Sequence, residues 1–121
     1  MYHLTIPIRT ESEMNLREHW RSRAARAKEQ RMICDLALST AIPKSQLPEN
    51  SVMTVRLTRV APRKLDGDNL QGSFKHIRDS IAAALGVDDR SERYAWVYGQ
   101  EKGKPKEYSV RITIAIDLKP E

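Results

Sequence analysis

Four aspartates are the residues of this chain whose type and spacing suggest chemistry. Asp66 and Asp68 open the stretch RKLDGDNLQGSFKHIRDSIAAALGVDD, which has the periodicity of a helix, and Asp88 and Asp89 close it. Carboxylates so placed can cap a helix, ligate a cation or stand in solvent. Asp68, with Gln71 three residues on, forms a capping-box-like pair, so Asp68 is the expected N-cap. That role leaves Asp66 over, and it leaves Asp88 and Asp89 at the negative end of the helix dipole, where acids are disfavoured. Convergent carboxylates repel one another unless a cation sits between them. A donor set made of oxygens points to a hard ion, Mg²⁺ or Mn²⁺. The stretch is not an EF-hand, because the glycine that loop requires would fall at Gln71. Such an ion activates water and neutralises charge building on a phosphate, so phosphodiester hydrolysis is the chemistry that fits.

Elements that position these residues follow from the rest of the chain. At 121 residues the sequence makes one domain, residues 1–121, with a modest core. YHLTIPI (Tyr2 to Ile8) alternates as a strand with Pro7 near its end. A helical segment runs from about Asn15 to Ala41, and SVMTVRLTRVA (Ser51 to Ala61) is a second strand ending at Pro62. Next comes a helix over Asp68 to Leu85, with Gly86 as its left-handed cap. Its Leu70, Phe74, Ile77, Ile81 and Leu85 form an apolar stripe, and Asp68, Gly72, Lys75, Asp79 and Ala82 lie opposite. RYAWVYGQ and EYSVRITIAIDL read as strands joined by EKGKPK as a hairpin connection. The order β-α-β-α-β-β predicts an α+β fold, two helices on a small mixed or antiparallel sheet.

Charge bounds the partners. Charged residues make up 31% of the chain against 40% hydrophobic, the net charge is +5 and the pI is near 9.6, so an acidic partner such as nucleic acid is expected. The first helical segment carries Arg17, Arg21, Arg23, Arg26, Lys28 and Arg31. Beside the carboxylates they read as phosphate contacts, which confer affinity without sequence specificity. Leu16, Trp20, Ala24, Ala27, Cys34 and Leu38 are the expected core face of that helix, with Arg31 in its middle. Lys102, Lys104 and Lys106 of the connecting loop reach DNA or keep an edge soluble. His3, His19 and His76 are scattered and carry no pattern. A single cysteine, Cys34, excludes an intrachain disulfide and suggests a reducing compartment. No apolar run has membrane-spanning length, so a soluble, cytoplasmic protein with no membrane partner is expected.

The pattern LDGDNLQ…FK…RD…LGVDD, with its basic strand connection, resembles the RusA-type Holliday junction endonucleases often carried by phages and prophages. There a D-x-D-N motif opens a helix, a lysine follows within it, and an Asp-Asp pair lies after it. The resemblance implies a Mg²⁺-dependent endonuclease in a bacterial or phage-infected cell, resolving four-way junctions by paired nicks in DNA recombination and repair. It assigns Asp66, Asp68 and Asp89 as the essential carboxylates, Asp88 as a neighbouring metal ligand and Asn69 as the motif asparagine. The family lysine sits four residues after the second aspartate, which here is Gly72. Lys75 becomes its counterpart only across a three-residue insertion, GSF. Lys75 would then hold the phosphate or the attacking water, while its plain alternative is an i,i+4 pair with Asp79. The competing function is a non-catalytic DNA-binding or phage accessory protein that keeps the fold. A third is a protein–protein adaptor with a structural metal.

A continuous helix from Asp68 to Leu85 would be about 27 Å long, too long for its two acidic ends to share an ion. Two such helices, antiparallel across a two-fold axis, bring the start of one beside the end of the other. Gly72, Ala82 and Ala83 would permit that approach, so the expected metal sites are built in trans, twice per dimer.

Overall fold

A computed structural model describes residues 1–10, 20–42 and 47–118; the side chain of Trp20 is outside the description. The chain runs β1 (Tyr2–Ile6), α1 (Trp20–Ala41), β2 (Ser51–Ala61), α2 (Gly67–Ser73), α3 (Lys75–Leu85), β3 (Tyr94–Lys102) and β4 (Ser109–Leu118). It is an α+β fold, as the order of elements predicts, with a four-stranded mixed sheet in the order β1-β4-β2-β3.

Alternation decides which face of the sheet is core. On β2, Met53, Val55 and Leu57 are fully buried, and their register partners Ile116, Ile114 and Ile112 on β4 point the same way. Ile6 of β1 and Val110 of β4 extend this layer. Onto it pack Cys34 and Leu38 of α1 and the stripe Leu70, Phe74, Ile77, Ile81 and Leu85, every member of which is buried. The opposite face stays polar and open, with His3, Thr54, Arg56 and Arg111 exposed and Arg111 paired to Glu101.

Four sequence expectations are corrected. The helix after Asp66 is two helices that meet at Phe74. The run GDNLQGS has two glycines and three short polar residues that compete for backbone bonds, so it propagates poorly. Ser73 turns its hydroxyl to the Leu70 carbonyl (2.7 Å), and the Phe74 N–H is divided between the carbonyls of Gln71 and Gly72. Second, EKGKPK does not close a hairpin. β3 pairs parallel to β2, β4 pairs antiparallel to β2 on its other side, and the loop passes over β2. Gly103 lies tight there, because a Cβ would meet the Glu107 carboxylate at 2.8 Å and Val60 at 3.1 Å. Third, β1 ends at Ile6 just before Pro7, short of Ile8. Last, the buried seam of α1 is Gln30, Cys34 and Leu38 with Ala27 partly covered, while Ala24 is exposed and Arg31 half-buried. Leu16 lies outside the described residues. Gln30 is hidden in the sequence by its polarity; its amide donates to the Arg9 carbonyl (3.1 Å) and so keeps a polar group satisfied inside. Gly86 holds the left-handed conformation expected of it, at φ 71°.

Candidate functional site

One end of the sheet gathers most of the candidate residues. β1, β2 and β3 point the same way, so their C-terminal ends share an edge of the molecule. The buried Arg59 organises that end, donating Nε to the Thr10 carbonyl (3.3 Å) and Nη1 to the Arg63 carbonyl (2.6 Å). Its position in step with Met53, Val55 and Leu57 is the sequence signal that marks it as inward-facing. Gln100 of β3 then holds Leu65 from both sides: its Oε1 accepts from the Leu65 N–H (2.9 Å) and its Nε2 donates to the Leu65 carbonyl (2.7 Å). Directly after that clamp, Asp66 begins α2. Its carboxylate accepts from the Asn69 N–H (3.1 Å), so Asp66 is the N-cap and Asp68 lies exposed in the first turn, free of the capping role expected for it. Lys75, the first residue of α3, is exposed.

Basic side chains surround this end. Gln30 ties α1 to Arg9, which places the N-terminal turns of α1 beside the ends of β1 and β2. Positions 21 to 25 are all exposed, Arg21 and Arg23 among them, and Lys28 is exposed as well. Arg26 is half-buried and helps line a cavity of about 250 Å³ with Arg9 and Gln30. Arg31 pairs with Asp35 of its own helix at 3.9 Å. Lys102 and Lys104 are exposed at the end of β3, on the same edge. Arg17 lies outside the described residues.

The second acidic pair stands elsewhere. Asp88 follows Gly86 and caps a turn, its carboxylate accepting from the Arg90 N–H (2.8 Å). Asp89 is 3.5 Å from the Arg78 guanidinium, and its carbonyl accepts from the Trp96 indole (3.1 Å). Arg78 also lies 4.8 Å over the Trp96 ring. These contacts give both carboxylates partners within the protein at a helix C-terminus. Arg78 carries no sequence signal, since its role depends on an aromatic residue eighteen positions away.

Within one chain the two acidic segments do not meet. Asp89 is fixed at Trp96 and Leu65 at Gln100, four residues apart on β3, which is about 13 Å along a strand. Among the described residues no group of three or more His, Cys, Asp or Glu is assembled that could hold a metal ion. The single helix on which the expected separation of Asp66 and Asp68 from Asp88 and Asp89 rests is two helices in the structure.

Burial shifts two groups strongly. Cys34 is fully buried, and desolvation first, then Asp35, pushes its thiol up to about 12; it is a core side chain rather than a nucleophile. Tyr94 donates to the Val87 carbonyl (2.8 Å), and burial first, then the nearby Asp89 charge, pushes its hydroxyl from the ordinary 10.0 up to about 12. The folded protein keeps that proton where the unfolded chain has lost it, so stability falls as pH rises from 10 towards 12. Tyr94→Phe should remove one tyrosinate transition near pH 12 in an absorbance titration and flatten the loss of stability over that window. An unaltered titration would contradict the assignment.

No family model matches the chain, and no solved structure matches it. An uncharacterized protein of Xylella fastidiosa (strain Temecula1 / ATCC 700964) is 32% identical to it over 94 residues, 74% of this chain. The chain spans 61% of that relative's length.

Proposed function

We propose that the protein is a RusA-like, structure-specific DNA endonuclease that uses Mg²⁺, or Mn²⁺ in its place, to nick branched DNA in pairs. The observation that carries this reading is the convergence at one end of the sheet: Asp66 and Asp68 share it with Arg21, Arg23, Lys102 and Lys104. Ligands of open sheets with parallel strands bind outside the carboxyl ends of those strands, and here that end carries hard oxygen donors together with exposed basic side chains.

Each residue has a separate task. Exposed carboxylates of Asp66 and Asp68 supply donors from one protomer, and Asp89, with Asp88 beside it, supplies them from its partner in a homodimer. Arg78 and Trp96 hold the Asp89 segment in place. Lys75 reaches a phosphate oxygen from the outer face of α3, and α1 tracks the DNA backbone through its exposed arginines. When bound, the ion lowers the pKa of water and neutralises charge on the phosphate. The substrate is branched DNA in the bacterial cytoplasm. No helix among the described residues is long and apolar enough to cross a membrane.

The test is cleavage of a synthetic four-way junction with and without divalent metal. Paired nicks with Mg²⁺ or Mn²⁺, little activity with Ca²⁺ and none in chelator are the expected results. Equal cleavage in chelator removes the metal reading. Binding without cleavage under every metal condition favours the competing reading, a non-catalytic DNA-binding or accessory protein. The arrangement that favours that second reading is the separation of the two acidic segments within one chain.

The basic end makes its own prediction. Replacing Arg21, Arg23 and Lys28 with Ala should weaken junction binding and reduce the slope of log affinity against log salt by up to about 0.9 for each phosphate no longer neutralised. An unchanged slope would show that α1 faces away from DNA.

A further inference from the structure

Arg78 is held differently from the arginines that brace the fold. Arg59 gives two donors to backbone carbonyls, at 3.3 and 2.6 Å. Arg93 gives Nε to the Ser51 carbonyl (2.9 Å) and Nη2 to the Pro48 carbonyl (2.8 Å) and the Ser51 hydroxyl (2.7 Å). Arg78 brings one nitrogen, Nη2, to 3.5 Å from the Asp89 carboxylate, and its buried Nε has no hydrogen-bond partner among the described residues. A charge-assisted bond closes to about 2.7–2.9 Å, so these two charges are in loose contact. Both side chains also keep more than a quarter of their surface open, 27% and 28%.

Each member of this pair has a second anchor. The Asp89 backbone is fixed through its carbonyl, which accepts from the Trp96 indole (3.1 Å). The guanidinium lies 4.8 Å over the ring of the same Trp96, and that ring stacks on Tyr94 with centroids 4.7 Å apart. Tyr94 is tied in turn by its hydroxyl to the Val87 carbonyl (2.8 Å). One aromatic pair therefore fixes the segment and the cation separately, and the contact between carboxylate and guanidinium can open without moving either. Asp88 is committed otherwise, its carboxylate accepting from the Arg90 N–H (2.8 Å) inside its own turn.

We infer that Arg78 holds the place of the metal ion at Asp89: it occupies the carboxylate beforehand and yields it when the site fills. The inference rests on the proposed reading of Asp89 as a metal ligand, and it adds the cation which that ligand carries in the empty site. An acid at the C-terminal end of α3 is disfavoured by the helix dipole, and the guanidinium offsets that cost. Asp89 cannot serve both partners fully, because the fixed positive charge of Arg78 repels a second cation at the same oxygen. Arg78 is thus a positioning residue that sets how tightly the site takes its ion. Its loss should tighten metal binding. A plain structural clamp predicts the opposite sign, since without it Asp89 would loosen and the ion would bind more weakly.

Metal binding without DNA separates the two roles. The probe is Tb³⁺, a hard ion that takes oxygen donors, read by its emission when neighbouring aromatic rings are excited. In the full chain, Arg78→Gln should bind Tb³⁺ about fivefold more tightly than the wild type, the upper end of what an exposed ion pair contributes. Arg78→Lys puts a cation back and should return to wild-type affinity. Asp89→Asn should lose the emission, which ties the signal to that carboxylate. Arg78→Met, which keeps an apolar stem over the indole, replaces the Gln variant if that chain does not fold. Binding by the neutral variant that equals the wild type or is weaker would overturn the place-holding role and leave the metal reading standing. A Lys variant as tight as the Gln variant would do the same. Absence of Asp89-dependent emission from every chain would remove the metal site from the proposed function, and this inference with it.

Discussion

Asp66→Asn/Asp68→Asn should abolish junction cleavage while leaving junction affinity unchanged or tighter. Asparagine caps a helix about as well as aspartate, so the bond from Asn69 N–H survives and α2 keeps its start. Asp68 is exposed and has no capping role to lose. The substitution therefore removes negative charge and metal-ligating strength with little else. Loss of a group that merely orients a metal ligand typically costs about 10–100-fold, and loss of two direct donors should exceed that. Affinity rises or holds because two like charges leave the neighbourhood of the DNA phosphates. If the two aspartates serve only as helix-start residues, cleavage by the double variant will equal that of the wild type. Single-turnover cleavage and gel-shift binding on the same junction distinguish the cases.

Phe74→Ala should cost the fold about 3–5 kcal/mol. Phe74 is fully buried at the joint between α2 and α3, and its ring stacks on Tyr98 with centroids 5.7 Å apart. It is the bulkiest fully buried side chain among the described residues, and three elements converge on it. Its loss leaves a cavity under the joint that sets the direction of the Asp66 segment. Urea denaturation should show a much lower midpoint with an unchanged slope. A cost below about 1 kcal/mol would mean that the joint repacks freely and does not position the carboxylates.

The sequence discloses periodic features well and non-local ones poorly. Leu70 to Leu85 is legible because one stripe of large apolar residues at helical spacing has no other use, and Gly86 is legible because few residues hold a left-handed cap. Phe74 keeps that same spacing, so the apolar stripe hides the break there; its local signal is the run GDNLQGS, whose two glycines and short polar residues propagate a helix poorly. The partner of β3 is hidden for a similar reason. EKGKPK has the composition of a tight turn, but composition does not say whether the strands it joins are neighbours. Asp66 and Asp68 compete for one capping position, which Asp66 takes directly after Leu65 is seated on Gln100. Cys34 and Leu38 are legible on the core face of α1, while Gln30 beside them is not, because it is polar. Arg78 and Trp96, which hold the Asp89 segment, are joined by tertiary contact alone.

A mixing experiment tests the shared site most directly. One inactive variant carries Asp66→Asn/Asp68→Asn and the other Asp88→Asn/Asp89→Asn. If each site takes one acidic segment from each protomer, a mixed dimer has one site with both lesions and one with none. Nicking of the junction should then return on mixing, as single nicks rather than paired ones. If each site lies within one chain, both sites of the mixed dimer keep a lesion, and persistent inactivity after confirmed subunit exchange would contradict the shared site.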